Sequence, residues 1–139
     1  MIKEISIAIL DRYSSSPDAA SLRSDLSGGL WFMEAPQATS EPYAVFTWDG
    51  STVDEIFGDR FNRIETASIT VSIYSKNDDG GVEVFGIAQK FMELFDWAEL
   101  TYPAGNYEHI AIKRNSIVNR GKLDKIWLLE LDYDIIYEH

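Results

Sequence analysis

Apolar and hydroxyl side chains alternate without interruption along residues 66–73 of the chain. Successive side chains of a strand point to opposite faces, so this period of two predicts a strand with one buried face and one polar face. The apolar set is Ala67, Ile69, Val71 and Ile73, and the hydroxyl set is Thr66, Ser68, Thr70 and Ser72.

A helical period follows the strand. Residues 77–81 contain a turn-forming run with Asp79 as a possible helix cap, and the spacing then predicts a helix over residues 82–100. Its apolar face is formed by Val84, Ala88, Phe91 and Phe95. The sheet is therefore expected to bury its apolar face under a helix.

Two further helices are predicted near the N-terminus. The first covers residues 2–13, and the second begins at the cap and first turn Ser16-Pro17-Asp18 and stops at Gly28-Gly29. The residues expected to face inward are Ile2, Ile5, Ile9 and Tyr13 in the first helix, and Ala19, Leu22 and Leu26 in the second.

Five strands are predicted, joined by turns at Asp49-Gly50 and at residues 119–122. Residues 51–62 break the pattern and suggest a projecting arm or an extended hairpin. The strands are residues 30–34, 43–48, 64–76, 107–118 and 126–138. Short connections favour antiparallel pairing, so the predicted fold class is α+β. It is a single-domain two-layer sandwich over residues 1–139, with an antiparallel sheet of about five strands and helices on one face.

The last predicted strand separates apolar from acidic side chains. Trp127, Leu129, Leu131, Tyr133 and Ile135 share one face, whereas Glu130, Asp132, Asp134 and Glu138 share the other. Four like charges on one face need water or cationic partners, for which Lys113 and Arg114 are candidates. The acidic face is either an ordinary solvated surface or a negatively charged wall beside something that must not adhere.

Composition narrows the possible functions. The 139 residues carry a net charge of −11, from 23 acidic and 12 basic residues, which disfavours binding to a phosphate backbone. The charge serves solubility, or it marks a surface near nucleic acid that does not bind it. The absence of cysteine excludes disulfides and thiolate metal sites. No signal peptide or membrane-spanning run is found, so we expect a soluble intracellular protein without membrane contact.

Catalytic and metal-binding patterns are missing from the sequence. His109 and His139 have no nearby partner residue, and the segment from Ser75 to Gly86 lacks the acidic first and last ligands of a calcium loop. No phosphate-binding loop or nucleophile elbow is present. We therefore expect no enzymatic activity, no metal and no cofactor.

One irregular segment combines aromatic residues with arginines, the types enriched at protein interfaces. Either it forms a contact with another subunit, or its two phenylalanines fold back onto the core. The candidate interface residues are Phe57, Arg60, Phe61 and Arg63.

The layout of the chain resembles the tail-completion, or tail-terminator, proteins of long-tailed bacteriophages. The resemblance runs over nearly the whole chain. It is carried by the N-terminal helix, the Ala35-Pro36-Gln37 loop before Pro42-Tyr43, the strand 70–74, the helix 84–94 and the terminal strand 129–135.

The resemblance implies a non-enzymatic virion protein located in the tail and assembled in the cytoplasm of a bacterial host. Such a subunit caps the tail tube in a ring of about six copies and waits as a monomer until a tube end is available. Its implied partners are itself, the major tail tube protein and the head-completion or connector protein, with DNA passing through unbound. As a hypothesis, the acidic excess lines the lumen; the candidates are Asp54, Glu55, Asp59, Glu130, Asp132 and Asp134.

Two other classes of function fit parts of the sequence. An acidic inhibitor or immunity-type protein that mimics nucleic acid would have the same size and charge, but it would bind one basic partner instead of copies of itself. An enzyme would need a pocket with convergent polar groups.

Overall fold

Within the described residues, the strands form a six-stranded sheet, and helices cover one of its faces. The computed structural model describes residues 2–55, 63–76, 81–100 and 108–138. The helices are α1 (Ile2–Ser15), α2 (Ala20–Asp25), which follows a 3₁₀ turn at Pro17–Ala19, and α3 (Val82–Phe95). The strands are β1 (Leu30–Phe32), β2 (Tyr43–Glu55), β3 (Arg63–Ser75), β4 (Glu99–Leu100), β5 (Glu108–Leu123) and β6 (Ile126–Glu138).

The sheet has the strand order β1-β2-β3-β6-β5-β4. The four long strands pair antiparallel, with Val71 of β3 opposite Phe46 on one side and Leu131 on the other. The α+β fold class and the covering of one face by helices are confirmed. β2 pairs with β3 as far as Glu55 and Arg63, so residues 51–55 continue the strand, as the extended-hairpin alternative expects, whereas residues 56–62 lie outside the described residues.

The core lies between one face of the sheet and the helices. Every second residue of β3 and β6 is buried there, as predicted, and α3 packs against β3, β5 and β6 while α1 contacts the sheet margins β1 and β4. The sheet contributes Ala44, Phe46, Ala67, Ile69, Val71, Ile73, Ile112, Leu129, Leu131, Tyr133, Ile135 and Tyr137. The helices contribute Ile5, Ile9, Leu22, Val84, Ile87, Ala88, Phe91, Leu94 and Phe95.

Three local predictions were wrong. β1 pairs parallel with β2, because the 33–42 loop returns the chain from the end of β1 to the level of its start before β2 begins. Asp49-Gly50 is not a turn: the strand continues through a bulge between Trp48 and Gly50. Likewise β5 runs on through a bulge between Asn119 and Gly121, and the chain turns instead at Asp124 and Lys125, both with positive φ.

The predicted helix 82–100 is also too long. Helix α3 ends at Phe95, Trp97 takes a left-handed conformation with φ of 57°, and β4 follows. Trp97 is 77% exposed, and the ammonium group of Lys113 lies 5.8 Å from its ring centroid. Trp97, which the helical spacing placed in the helix, instead belongs to the turn that leads the chain from α3 to β4. The predicted cap was wrong as well: Gly81, with φ of 89° and no side-chain cap hydrogen bond, is the N-cap of α3, and Asp79 lies outside the described residues.

A polar network joins the end of α3 to the sheet. Asp96 accepts a hydrogen bond from the Tyr133 hydroxyl at 2.9 Å and an ion-paired hydrogen bond from the Arg114 guanidinium at 3.1 Å. Burial, and then the neighbouring Asp96 carboxylate, raise the pKa of the Tyr133 hydroxyl above its usual value. The hydroxyl therefore stays protonated as a donor, and the network fixes β5 and β6 relative to the helix.

Gly28 allows the loop that carries β1 to pack closely against the start of β2. Its N–H donates to the carbonyl of Pro42 at 2.8 Å, and its own carbonyl accepts from the Trp31 indole at 2.7 Å. A Cβ atom at this position would meet the Ser40 carbonyl oxygen and lie 2.7 Å from the Cβ of Tyr43. No side chain fits there without displacing backbone.

Gly28→Ala is expected to lower the free energy of unfolding by about 1–3 kcal/mol, because overpacking forces the backbone apart. The matched control is Gly86→Ala, in the exposed face of α3, where an added Cβ meets nothing within 4 Å. That change should stabilise the protein by about 0.5–1 kcal/mol. Urea unfolding of both variants measures the difference, and equal effects of the two substitutions would contradict the packing argument.

Candidate functional site

The face of the sheet that the helices leave uncovered, here called the open face, is lined by hydroxyls and carboxylates. On β3 and β6 the outward residues are the hydroxyl and acidic sets predicted from the sequence, and they lie opposite one another in register: Ser68 with Asp134, Thr70 with Asp132, and Ser72 with Glu130. The predicted acidic residues of the last strand therefore share one surface.

A continuous row of side chains crosses the open face. It consists of Asp49 on β2, Thr70 on β3, Asp132 on β6 and Ser116 on β5, and we call it the polar row. The Thr70 hydroxyl lies 2.5 Å from Asp49 and 2.9 Å from Asp132, and Ser116 donates to the other oxygen of Asp132 at 2.7 Å. Hydroxyls thus hold both carboxylates in fixed positions across four strands.

Thr70 is the central member of the polar row. Its hydroxyl carries one hydrogen, so it can donate to only one of the two carboxylates at a time. Thr47 approaches Asp49 at 3.3 Å as a second donor, and Ser68 donates to Asp134 at 3.2 Å. The hydroxyl side chains of β3 that the sequence predicted therefore donate hydrogen bonds to the carboxylates of the neighbouring strand β6.

Cationic partners of the acidic residues differ from those predicted. Arg114 binds Asp96, near the core side of the sheet, and does not reach the open face as expected. Lys113 does lie opposite Asp134 in register, although its ammonium group contacts the Trp97 ring. On the open face, the guanidinium of Arg120 binds Glu130 at 3.1 Å. The bulge between Asn119 and Gly121 offsets this register, and a bulge is not visible in the sequence pattern.

The structure describes only some of the remaining predicted site residues. Asp54 and Glu55 are the last residues of β2, and Arg63 is the first residue of β3. Phe57, Asp59, Arg60 and Phe61 lie outside the described residues. The interface and lumen assignments of these residues remain predictions.

A shallow groove of about 380 Å³ opens onto the edge of the open face, between the 33–42 loop and β2. The stacked rings of Tyr43 and Tyr74, 4.9 Å apart, form part of its wall, and Glu34 is the single carboxylate among its lining residues. Such a lining offers no pair of groups for general acid and base catalysis.

Two properties concern the described ranges alone. Within them, no group of three or more His, Cys, Asp or Glu side chains is placed to hold a metal ion. Nor does any helix in those ranges have the length and apolar character needed to cross a membrane.

β2 and β5, the strands next to the two margins of the sheet, carry segments of opposite sequence charge. Residues 113–125, on β5 and its turn, contain five basic residues and one acidic residue, a net charge of +4, whereas residues 49–55 of β2 contain three acidic residues and no basic residue. Sequence reasoning missed this feature. The clustering of five of the 12 basic residues within 13 positions could have revealed it.

The fold is shared with solved structures, although the sequence matches no family model and no curated protein. One is a chain in the virion of a native gene transfer agent particle, 12% identical, with a TM-score of 0.75; the alignment covers 99% of this chain and 97% of that one. A second solved chain is 14% identical, with a TM-score of 0.59, and the alignment covers 97% and 95% of the two chains. At these identities the likeness shows the fold alone.

Thr70→Val should lower the free energy of unfolding by about 1–2 kcal/mol, because it keeps the β-branched shape but removes the donor between Asp49 and Asp132. The loss should shrink as salt is added, since salt screens the two carboxylates. Ser68→Ala is the control: its hydroxyl contacts Asp134 by a single bond of 3.2 Å, so its cost should be smaller and less dependent on salt. Chemical denaturation in low and high salt compares the variants, and equal behaviour would contradict a central role of Thr70.

Proposed function

We propose that this chain is a structural protein of a bacteriophage or phage-like virion, and that it serves as a tail-completion (terminator) subunit. In this role it caps the tail tube as a ring and joins the tube to the head connector. The observation that carries the proposal is the fold: nearly the whole chain superposes, at a TM-score of 0.75, on a chain of a gene transfer agent virion. The order of helices and strands that resembles the tail terminators supports the same class.

The one-sided construction of the sheet suits a ring subunit. Helices cover the apolar face, and the other face is broad, polar and fixed by its own hydrogen bonds. A wall around passing DNA needs such a surface, because mobile cationic side chains would bind phosphates and slow the DNA. The carboxylates of Glu130, Asp132 and Asp134 repel them instead.

We assign the open face to the lumen of the ring. Asp132 and Asp134 accept from hydroxyls, and Glu130 neutralises Arg120. The ammonium group of Lys113, which lies opposite Asp134 in register, contacts the Trp97 ring. The net charge of −11 accords with a protein that surrounds DNA without binding it. The partners in this assembly are further copies of the chain, the major tail tube protein and the head-completion or connector protein.

The proposal is tested by deleting the gene from the phage or prophage that carries it and supplying variants from a plasmid. Without the protein, electron microscopy should show heads and tails that fail to join. The rival role, an acidic inhibitor that mimics nucleic acid, predicts normal particles in the deletion, and that result would overturn the virion role.

The lumen assignment has its own variant pair. Glu130→Lys with Asp134→Lys reverses two charges of the open face, and Asp11→Lys with Asp18→Lys reverses two exposed charges on the helical side. Both should yield joined particles, but the open-face pair should deliver DNA about tenfold less efficiently per particle, because phosphates would bind the wall. Equal infectivity of the two variants would overturn the lumen assignment and leave the virion role standing.

A further inference from the structure

Two stretches of sheet margin have no strand beside them in the described part of the chain. β1 pairs with β2 at Ala44–Phe46 and Met33 contacts Trp48, whereas residues 49–55 of β2 have no described strand on that side. β4 pairs with β5 at residues 110–111, and residues 113–123 of β5 are uncovered on theirs. Unpaired edges present backbone N–H and C=O groups that a further strand can satisfy. We call these stretches the acidic edge (49–55) and the basic edge (113–123 with the turn to Lys125).

We propose that the basic edge of one copy pairs with the acidic edge of a second copy, head to tail, an inference that rests on the ring role proposed above. Charge indicates which molecule pairs with the basic edge. The basic edge has a sequence charge of +4, and +2 remains when Arg114 and Arg120 are set aside, since they pair with Asp96 and Glu130 of the same copy. The remainder of the chain carries seven basic and 22 acidic residues, a net −15. Another molecule of this same protein therefore offers the basic edge an acidic strand of fitting shape.

Lysines on an edge strand also have a simpler role, since they keep identical edges apart. Here the repulsion between identical edges favours pairing between unlike edges. Basic edges repel one another, and acidic edges do the same, so contacts of like with like are disfavoured and only the unlike pair remains. A contact between two different patches repeats head to tail and closes into a ring when the rotation permits.

Strand direction is compatible with this contact. β2, β3, β6 and β5 alternate in direction, so β5 runs opposite to β2. In a ring whose copies are related by rotation, β5 of one copy then lies antiparallel to β2 of the next, which is the more stable pairing. Ile117 and Leu123, exposed by 40% and 77%, would be covered there.

The positions of the two edges determine how far the strands of the proposed ring tilt relative to the ring axis. β4 lies at the level of Thr52, and β1 lies at the level of Asn119, so the free edges occupy diagonally opposite corners of the sheet. Joining them requires a shift of seven residues along β6, from Ile136 to Leu129, or about 23 Å. Over a repeat of four strands, about 19 Å, this shift corresponds to a tilt of about 50°, close to the tilt of strands in closed barrels.

Cysteine cross-linking tests the contact, because the chain has no cysteine of its own. Thr52→Cys is mixed at high concentration with a second variant that carries Asn115→Cys, Ile117→Cys or Asn119→Cys, and a short bis-maleimide is added. At least one pair should give a cross-linked dimer, whereas Ser24→Cys on exposed α2 should give none with any of them. Light scattering records the assembled mass of the same samples.

A charge reversal provides a second readout. Lys125→Glu in the basic edge should raise the concentration needed for assembly about tenfold, whereas Lys3→Glu on α1, an equal change in net charge, should leave it unchanged.

Assembly without any cross-link between the two edges would overturn the pairing and leave the ring role intact, because copies would then meet elsewhere. Cross-links between two basic edges, or a protein that stays monomeric at millimolar concentration, would also overturn it. The ring role itself is judged separately by the particles formed after gene deletion.

Discussion

The structure depends on a sheet that buries only one of its faces. Alternating residues of β3 and β6 send apolar side chains under α1, α2 and α3, and this burial supplies the main stabilisation. The alternation fixes the other face as polar, because a slip of one residue would exchange the two faces. The register of the strands therefore determines both the buried core and the open face. The proposed functions concern the surfaces that the helices do not cover.

Hydroxyl groups of the sheet itself reduce the repulsion between the carboxylates of the open face. Carboxylates on β2 and β6 are separated by β3, whose Thr70 provides the intervening hydroxyl. Asp49, Asp132 and Asp134 accept hydrogen bonds from hydroxyls, and Glu130 binds Arg120. An acidic surface with its own hydrogen-bonded partners results, and the proposed lumen assignment rests on this surface.

Local periodicity allowed most of the fold to be predicted from the sequence. The periods of two and 3.6 located the long strands and the three helices, and the acidic face of β6 followed from the same alternation. Features that depend on contacts between distant segments were not predictable. β1 joins β2 in parallel, Gly50 lies within a bulge, and Arg114 binds Asp96 because α3 ends near β5. The charge contrast between the sheet margins was present in the sequence, but its meaning required the strand order.

The direct test of the central claim is a cryo-electron microscopy reconstruction of the joined head–tail region of the particle, at a resolution that separates helices from strands. If the open face lines the lumen, the reconstruction will show a ring of this chain with β3 and β6 facing the channel and α1, α2 and α3 on the outside. Asp132 should then lie in the wall of the lumen. A ring whose helices line the channel, or particles that contain no copy of the chain, would contradict the account.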